Sequence, residues 1–79
     1  MTCGERIKHQ RELKGWSLRE LARRTAIDVA SLSRVETGDR PYPTVEQAKR
    51  LARVLGVTVD YLVGMYDDPE SELEPAAVA

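Results

Sequence analysis

A chain of 79 residues, 42% hydrophobic and 32% charged, is long enough for one compact domain with a modest core and has the composition of a soluble globular protein. No apolar run approaches the roughly 18–20 residues that span a bilayer. Met1-Thr2-Cys3-Gly4-Glu5-Arg6 lacks the apolar stretch of a secretory signal, and the lone Cys3 cannot close an internal disulfide, so a cytoplasmic location is expected. The net charge of −1 is unevenly spread: residues 1–66 hold all 12 Lys and Arg against eight acids, a balance of +4, whereas residues 67–79 hold five acids and no base. A basic body can attract phosphate even where the whole chain is slightly acidic, because binding follows the local field.

Taken in chain order, helix starts announce themselves by their caps. Thr2-x-x-Glu5 opens a first helix over Cys3–Lys14, and Gly15 stops it. Ser17-x-x-Glu20 opens a second over Leu18–Thr25, with Trp16 placed to staple onto Leu21 across the cap. Asp28 caps a third over Val29–Thr37, stapled by Ile27 and Leu32 and ended by Gly38. Arg40-Pro41-Tyr42-Pro43 is a connector in which both prolines oppose helix. Thr44-x-x-Gln47 then caps a fourth helix over Val45–Leu55, whose Val45, Ala48, Leu51, Ala52 and Leu55 share one face, and Gly56 ends it. Thr58 caps a short fifth helix over Val59–Val63, with a Val57–Leu62 staple and Gly64 beyond. Three of the caps, at Thr2, Ser17 and Thr44, read as complete capping boxes. From Asp67 onward, acids and prolines with little apolar content read as a disordered tail, which divides the chain into a domain at 1–66 and a tail at 67–79.

The interval Ser17–Gly38 has the pattern of two helices crossing at a tight turn, with small Ala22 at the contact and Leu21, Ile27, Leu32 and Val35 as apolar anchors. Gly15-Trp16-Ser17-Leu18-Arg19-Glu20-Leu21-Ala22, Val35-Glu36-Thr37-Gly38 and Leu55-Gly56-Val57-Thr58-Val59-Asp60-Tyr61-Leu62, in that order, resemble the phage-repressor and Cro-like family, also called the xenobiotic response element family. The resemblance covers about Glu5–Met65. It implies an all-α fold of five short helices, a lambda-repressor-like DNA-binding domain with a helix-turn-helix, acting as a sequence-specific transcriptional regulator and more specifically a repressor.

By the same resemblance the third helix enters the major groove with Val29, Ala30, Ser33 and Arg34 toward the bases. Their chemistry suits that role: Arg34 can donate to both acceptors of a guanine edge, Val29 and Ala30 can meet a thymine methyl, and Ser33 can donate or accept. The bland alternatives are that Val29 and Ala30 only fill the helix start and that Arg34 meets phosphate. Phosphate contacts are expected from Ser17, Arg19, Arg23, Thr37, Arg40, Tyr42 and Thr44, at helix starts and nearby bases. Arg11 and Glu36 match a structural ion pair between the first and third helices. Val54, Tyr61, Val63 and Met65 are the expected contact of a homodimer on double-stranded DNA. Two positions depart from the family's habit: Ala26 stands where Gly is frequent at the turn, and Leu18 where Gln is frequent.

Rival functions leave fewer marks. His9 and Cys3 belong to no recognisable triad or metal cluster and no phosphate-binding glycine loop is present, so neither an enzyme, a cofactor nor a metal is expected. A protein-interaction module on the same fold, or an antitoxin paired with a toxin, would share the size and the helix pattern.

Overall fold

The computed structural model describes residues 1–64. Its elements are α1 (Cys3–Leu13), α2 (Leu18–Thr25), α3 (Val29–Thr37), α4 (Val45–Leu55) and α5 (Val59–Leu62), with no strand among the described residues. All five starts fall on the expected caps. The ends of α1 and α5 come one residue early, with Lys14 and Val63 serving as right-handed C-caps.

The caps differ in one instructive place. At α1 the Thr2 hydroxyl accepts from the Glu5 N–H at 3.1 Å, and the Glu5 carboxylate accepts from the Thr2 N–H at 2.8 Å. Thr44 and Gln47 repeat the reciprocal pair at α4, both bonds at 3.1 Å. At α2 only half of the expected box forms. Ser17 accepts from the Glu20 N–H, but the Glu20 carboxylate turns to Arg23 and to Arg24, the latter at 2.6 Å. Two guanidiniums on the next turn outcompete one neutral N–H, since charge-assisted bonds are the stronger kind.

The core forms because α1 packs against α3, α4 and α5 while α2 packs against α3 and α4. Ile7, Leu21, Leu32, Val35, Leu51 and Leu62 are fully enclosed, one or two from each helix. The three stapled pairs all join this cluster, with Trp16 and Val57 half-buried against it. Burying such an aliphatic side chain stabilises by about 1.5–3 kcal/mol, which gives a domain of this size its cohesion. Val45 departs from the expectation for α4: it is 75% exposed while Ala48, Leu51, Ala52 and Leu55 are buried. At 100° per residue it lies about 70° from the mean direction of those four, and on the first turn no neighbouring helix covers it.

Two backbone positions fix the helix geometry. Gly4 lies so close to α3 that a Cβ there would sit 2.0 Å from the Val35 carbonyl oxygen and 2.9 Å from the Glu36 Cα. Only a glycine permits that approach, and nothing in the local pattern around Thr2–Glu5 announces it. Ala26 caps α2 in the left-handed region, φ 60° and ψ 30°, and the Ile27 N–H donates back to the Ala22 carbonyl. The turn thus keeps a conformation that costs a non-glycine residue roughly 1–2 kcal/mol.

Candidate nucleic-acid interface

Helix α3 has an inner and an outer side, and the sequence divides them cleanly. Leu32 and Val35 face the core. Glu36, the one acid within the helix, turns the same way and meets Arg11 of α1. Arg11 Nε donates to Glu36 Oε2 at 2.9 Å and Nη2 to Oε1 at 3.0 Å, a two-pronged pair whose side chains are 12% and 7% exposed. Its remaining prong, Nη1, donates to the Trp16 carbonyl at 2.8 Å. One guanidinium therefore ties α1, the residue ahead of the α2 cap, and α3 together, and hydrogen bonding to Glu36 raises its already high pKa. The expected pair is present, and its anchor on Trp16 is a link that sequence spacing did not disclose.

The outer side carries Ala30, Arg34 and Thr37 in the open, with Val29 and Ser33 half-buried beside them. Its N-terminus is pinned by Asp28, whose two carboxylate oxygens accept from the Ser31 N–H at 3.1 Å and the Ser31 hydroxyl at 2.6 Å. Those bonds, the hydroxyl's foremost, hold the Asp28 carboxyl below the usual aspartate range. At the other end the Arg34 carbonyl accepts from the Arg40 N–H at 3.0 Å and the Thr37 hydroxyl at 3.2 Å, which sets how the chain leaves α3.

Charge pairing separates the arginines. Arg11, Arg23, Arg24 and Arg50 each hold a carboxylate within ion-pair distance. Among the described residues none lies within that distance of Arg19, Arg34 or Arg40. Ser17, Arg19, Thr37, Arg40, Tyr42 and Thr44 are all exposed, and so is Arg23, although Arg23 is tied to Glu20. At the start of α2 the Ser17 hydroxyl is engaged as a cap, and with Glu20 turned away no described group accepts from the Ser17 N–H. An exposed helix start with free N–H groups is chemically suited to an anion. Leu18 packs partly against the core, so its apolar chain serves the fold at a position where the family often has a polar one.

The expected dimer residues are placed unequally. Val54 and Val63 are half-buried. Tyr61 is 4% exposed and belongs to the core: its hydroxyl accepts from Gln10 Nε2 at 3.3 Å, and the Arg6 guanidinium lies 4.9 Å from its ring centroid. It is therefore spent inside the domain, a role that its position between Asp60 and Leu62 does not reveal. Met65, like the tail 67–79, lies outside the described residues. Among the described residues no group of His, Cys, Asp or Glu is arranged to hold a metal ion, and no helix is long and apolar enough to cross a membrane. Cys3 is buried, which pushes its thiol pKa up and makes it a poor nucleophile. A stack missed in the sequence also supports the start of α2: the Arg24 guanidinium lies 4.2 Å from the Trp16 ring centroid and the Lys14 amine 5.6 Å from it.

Known proteins share this arrangement. A family model described as helix-turn-helix matches residues 7–62. The HTH-type transcriptional regulator SinR of Bacillus licheniformis is 34% identical over 67 residues, covering 85% of this chain and 60% of its own length. SinR of Bacillus subtilis (strain 168) is 35% identical over 60 residues, 76% of this chain and 54% of its own. The chain thus spans somewhat more than half the length of these curated relatives. The solved N-terminal DNA-binding domain of SinR from Bacillus subtilis superposes with a TM-score of 0.74 at 35% identity, covering 76% of this chain and 87% of that one. A solved complex of the SinR and SinI proteins matches with a TM-score of 0.77 at 31% identity, over 98% of this chain and 76% of the matched one. Family model, relatives and helix arrangement agree with the resemblance carried by Ser17–Gly38, and the chain belongs to the helix-turn-helix family of the phage-repressor, or xenobiotic response element, type.

Proposed function

We propose that this protein is a sequence-specific double-stranded DNA-binding transcriptional regulator, a repressor, that reads the major groove with α3. The observation that carries the reading is the sorting of charge on α3: Glu36 is turned inward and neutralised by Arg11, while Arg34 on the outer side has no carboxylate near it among the described residues. A surface so arranged offers donors to base edges without repelling phosphate. Val29, Ala30, Ser33 and Arg34 are the proposed base contacts. Ser17, Arg19, Arg23, Thr37, Arg40, Tyr42 and Thr44 are the proposed phosphate contacts, with Arg23 exchanging Glu20 for phosphate. The protein works by binding rather than by catalysis, without a cofactor, in the cytoplasm at the nucleoid.

One short recognition helix touches few base pairs, so specificity requires two copies. A homodimer held through Val54, Val63 and Met65 would set half-sites about 34–36 Å apart. Control by a protein partner is a second component of the reading, favoured by the match to a complex of SinR with SinI. Selection of bound sites from a random duplex pool tests the whole proposal. An enriched palindromic site with affinity falling steeply as salt rises is the expected outcome. No enrichment at any salt, with binding to a protein in its place, would assign the fold to protein interaction.

A further inference from the structure

A second basic feature lies away from the outer side of α3. Arg24, Thr25, Ala26, Arg50, Arg53 and Val54 line a groove of about 270 Å³ where the end of α2 passes α4. None of the residues proposed to touch bases or phosphate lines it. Its build is two-toned. Val54 and Ala26 give it apolar surface, and three arginines line it. Arg50 Nη1 donates to the Ala26 carbonyl at 3.5 Å, so that arginine leans across the groove.

The rim keeps positive charge to spare. Glu20 is shared between Arg23 and Arg24, Glu46 serves Arg50, and Arg53 has no carboxylate partner among the described residues. The three arginines of the groove and the neighbouring Arg23 thus meet two carboxylates, a local surplus of two charges. Phosphate would use the rim but not the apolar surface. A carboxylate-rich peptide with an apolar residue between its acids would use both.

The chain contains such a peptide. Residues 67–74 run Asp-Asp-Pro-Glu-Ser-Glu-Leu-Glu, in which Leu73 stands between Glu72 and Glu74 and no base occurs. Reach is sufficient. Eight residues lie between Gly64 and Leu73, and these nine steps can extend to at most about 30 Å, whereas a domain of this length has a diameter near 28 Å by radius-of-gyration scaling. Being tethered raises the peptide's local concentration to the millimolar range, enough for a weak contact to be populated. We infer that in the single chain off DNA the groove between α2 and α4 is the docking site for this chain's own acidic segment, with Glu72 and Glu74 on Arg50 and Arg53 and with Leu73 on the Val54 surface that a second copy would take in the homodimer. Docked there, the segment's carboxylates are held by arginines that the outer side of α3 does not use.

The test uses the full chain and does not depend on DNA. Backbone amide spectra are compared at low salt for the unaltered protein, for Leu73→Ser with Glu72→Gln and Glu74→Gln, and for Arg50→Gln with Arg53→Gln. The tail variant should shift the amides of Thr25, Ala26 and Arg50–Val54 and leave those of α1 in place. In the groove variant the same tail changes should shift nothing further. A double-mutant cycle on Glu74 and Arg53 should show coupling of about twofold to fivefold in the stability constant, the range of exposed ion pairs, and 0.5 M salt should erase most of it. No shift at the groove, or shifts spread evenly over all basic surfaces, overturns the proposal. Shifts that vanish on dilution would mean that a second copy's segment occupies the groove and would overturn docking within one chain.

Discussion

Arg11 and Arg34 are the same residue type, 23 positions apart, and the fold uses them in opposite ways. Arg11 is half-buried and engaged within the domain, bound by two prongs to Glu36 and by a third to the Trp16 carbonyl. Arg34 is exposed, with no carboxylate near it among the described residues. The comparison extends to whole surfaces. The seam between α1 and α3 is a close backbone approach at Gly4 locked by an ion pair, and it determines where α3 sits. The outer side of α3 makes few contacts within the domain and is available to a partner. Rigidity on one side of a helix is what gives meaning to side-chain spacing on the other.

The sharpest way to break this contrast is at Gly4. A methyl added there meets backbone, not a side chain that could swing aside, so α1 must move off α3. Gly4→Ala is expected to cost about 4 kcal/mol, in the range that signals a specific steric conflict. Urea unfolding would measure it, and a loss below about 1 kcal/mol would show that the seam is loose. Arg11→Ala should cost slightly less, about 3 kcal/mol, because it strands the Glu36 carboxylate in a site only 7% exposed. DNA affinity should fall with it on every sequence alike, since α3 loses its orientation rather than a base contact.

How much of this was legible beforehand follows the range of the forces involved. The five helix starts rest on contacts within five residues, and the caps at Thr2, Ser17, Asp28, Thr44 and Thr58 announced them. The pair between Arg11 and Glu36 spans 25 residues and was legible only through the family resemblance. What was illegible depends on neighbours from elsewhere in the chain: the closeness of Gly4 to Val35, the exposure of Val45, the burial of Tyr61 beneath Arg6, and the stacking of Arg24 on Trp16. The missing half of the Ser17 box is a smaller lesson of the same kind. A spacing says that a bond is available, and competition at Glu20 decides whether it forms.

On the outer side the comparison sharpens into specificity. Arg34→Ala should weaken binding by about 2 kcal/mol, concentrated at one guanine-bearing base pair per half-site. Arg40→Ala should weaken all sequences equally and reduce the slope of affinity against salt by about one. Both variants should melt near the unaltered protein, because neither guanidinium holds a carboxylate among the described residues. Titration of matched and singly substituted duplexes separates the two; uniform loss for Arg34→Ala would move that residue to the phosphates. The turn between α2 and α3 gives a gain rather than a loss. Ala26→Gly removes the left-handed strain at φ 60° and should stabilise by about 1 kcal/mol, read as a rise in melting temperature. An unchanged or lower value would mean that the added freedom of the unfolded chain offsets the relief.

The smallest effect lies at Asp28, the cap that starts α3 at the end opposite the seam. Its carboxylate accepts from the Ser31 hydroxyl and the Ser31 N–H, and those bonds hold its pKa below the ordinary aspartate value. A carboxyl whose pKa is lower in the folded state stabilises the fold above its unfolded value, near 3.9, and loses that contribution as pH falls through the folded value. Glu20, lowered chiefly by its hydrogen bond from Arg23, adds to the same acid limb. Asp28→Asn keeps a competent cap, since asparagine accepts the same N–H, but removes the titrating charge. The variant should therefore melt slightly below the unaltered protein at pH 7 and approach it as pH falls below the unfolded aspartate value and through the lowered folded one. Melting curves at half-unit steps would show the convergence. Two curves that stay parallel over that window would mean that Asp28 caps α3 without its charge, and would leave Glu20 as the source of the acid limb.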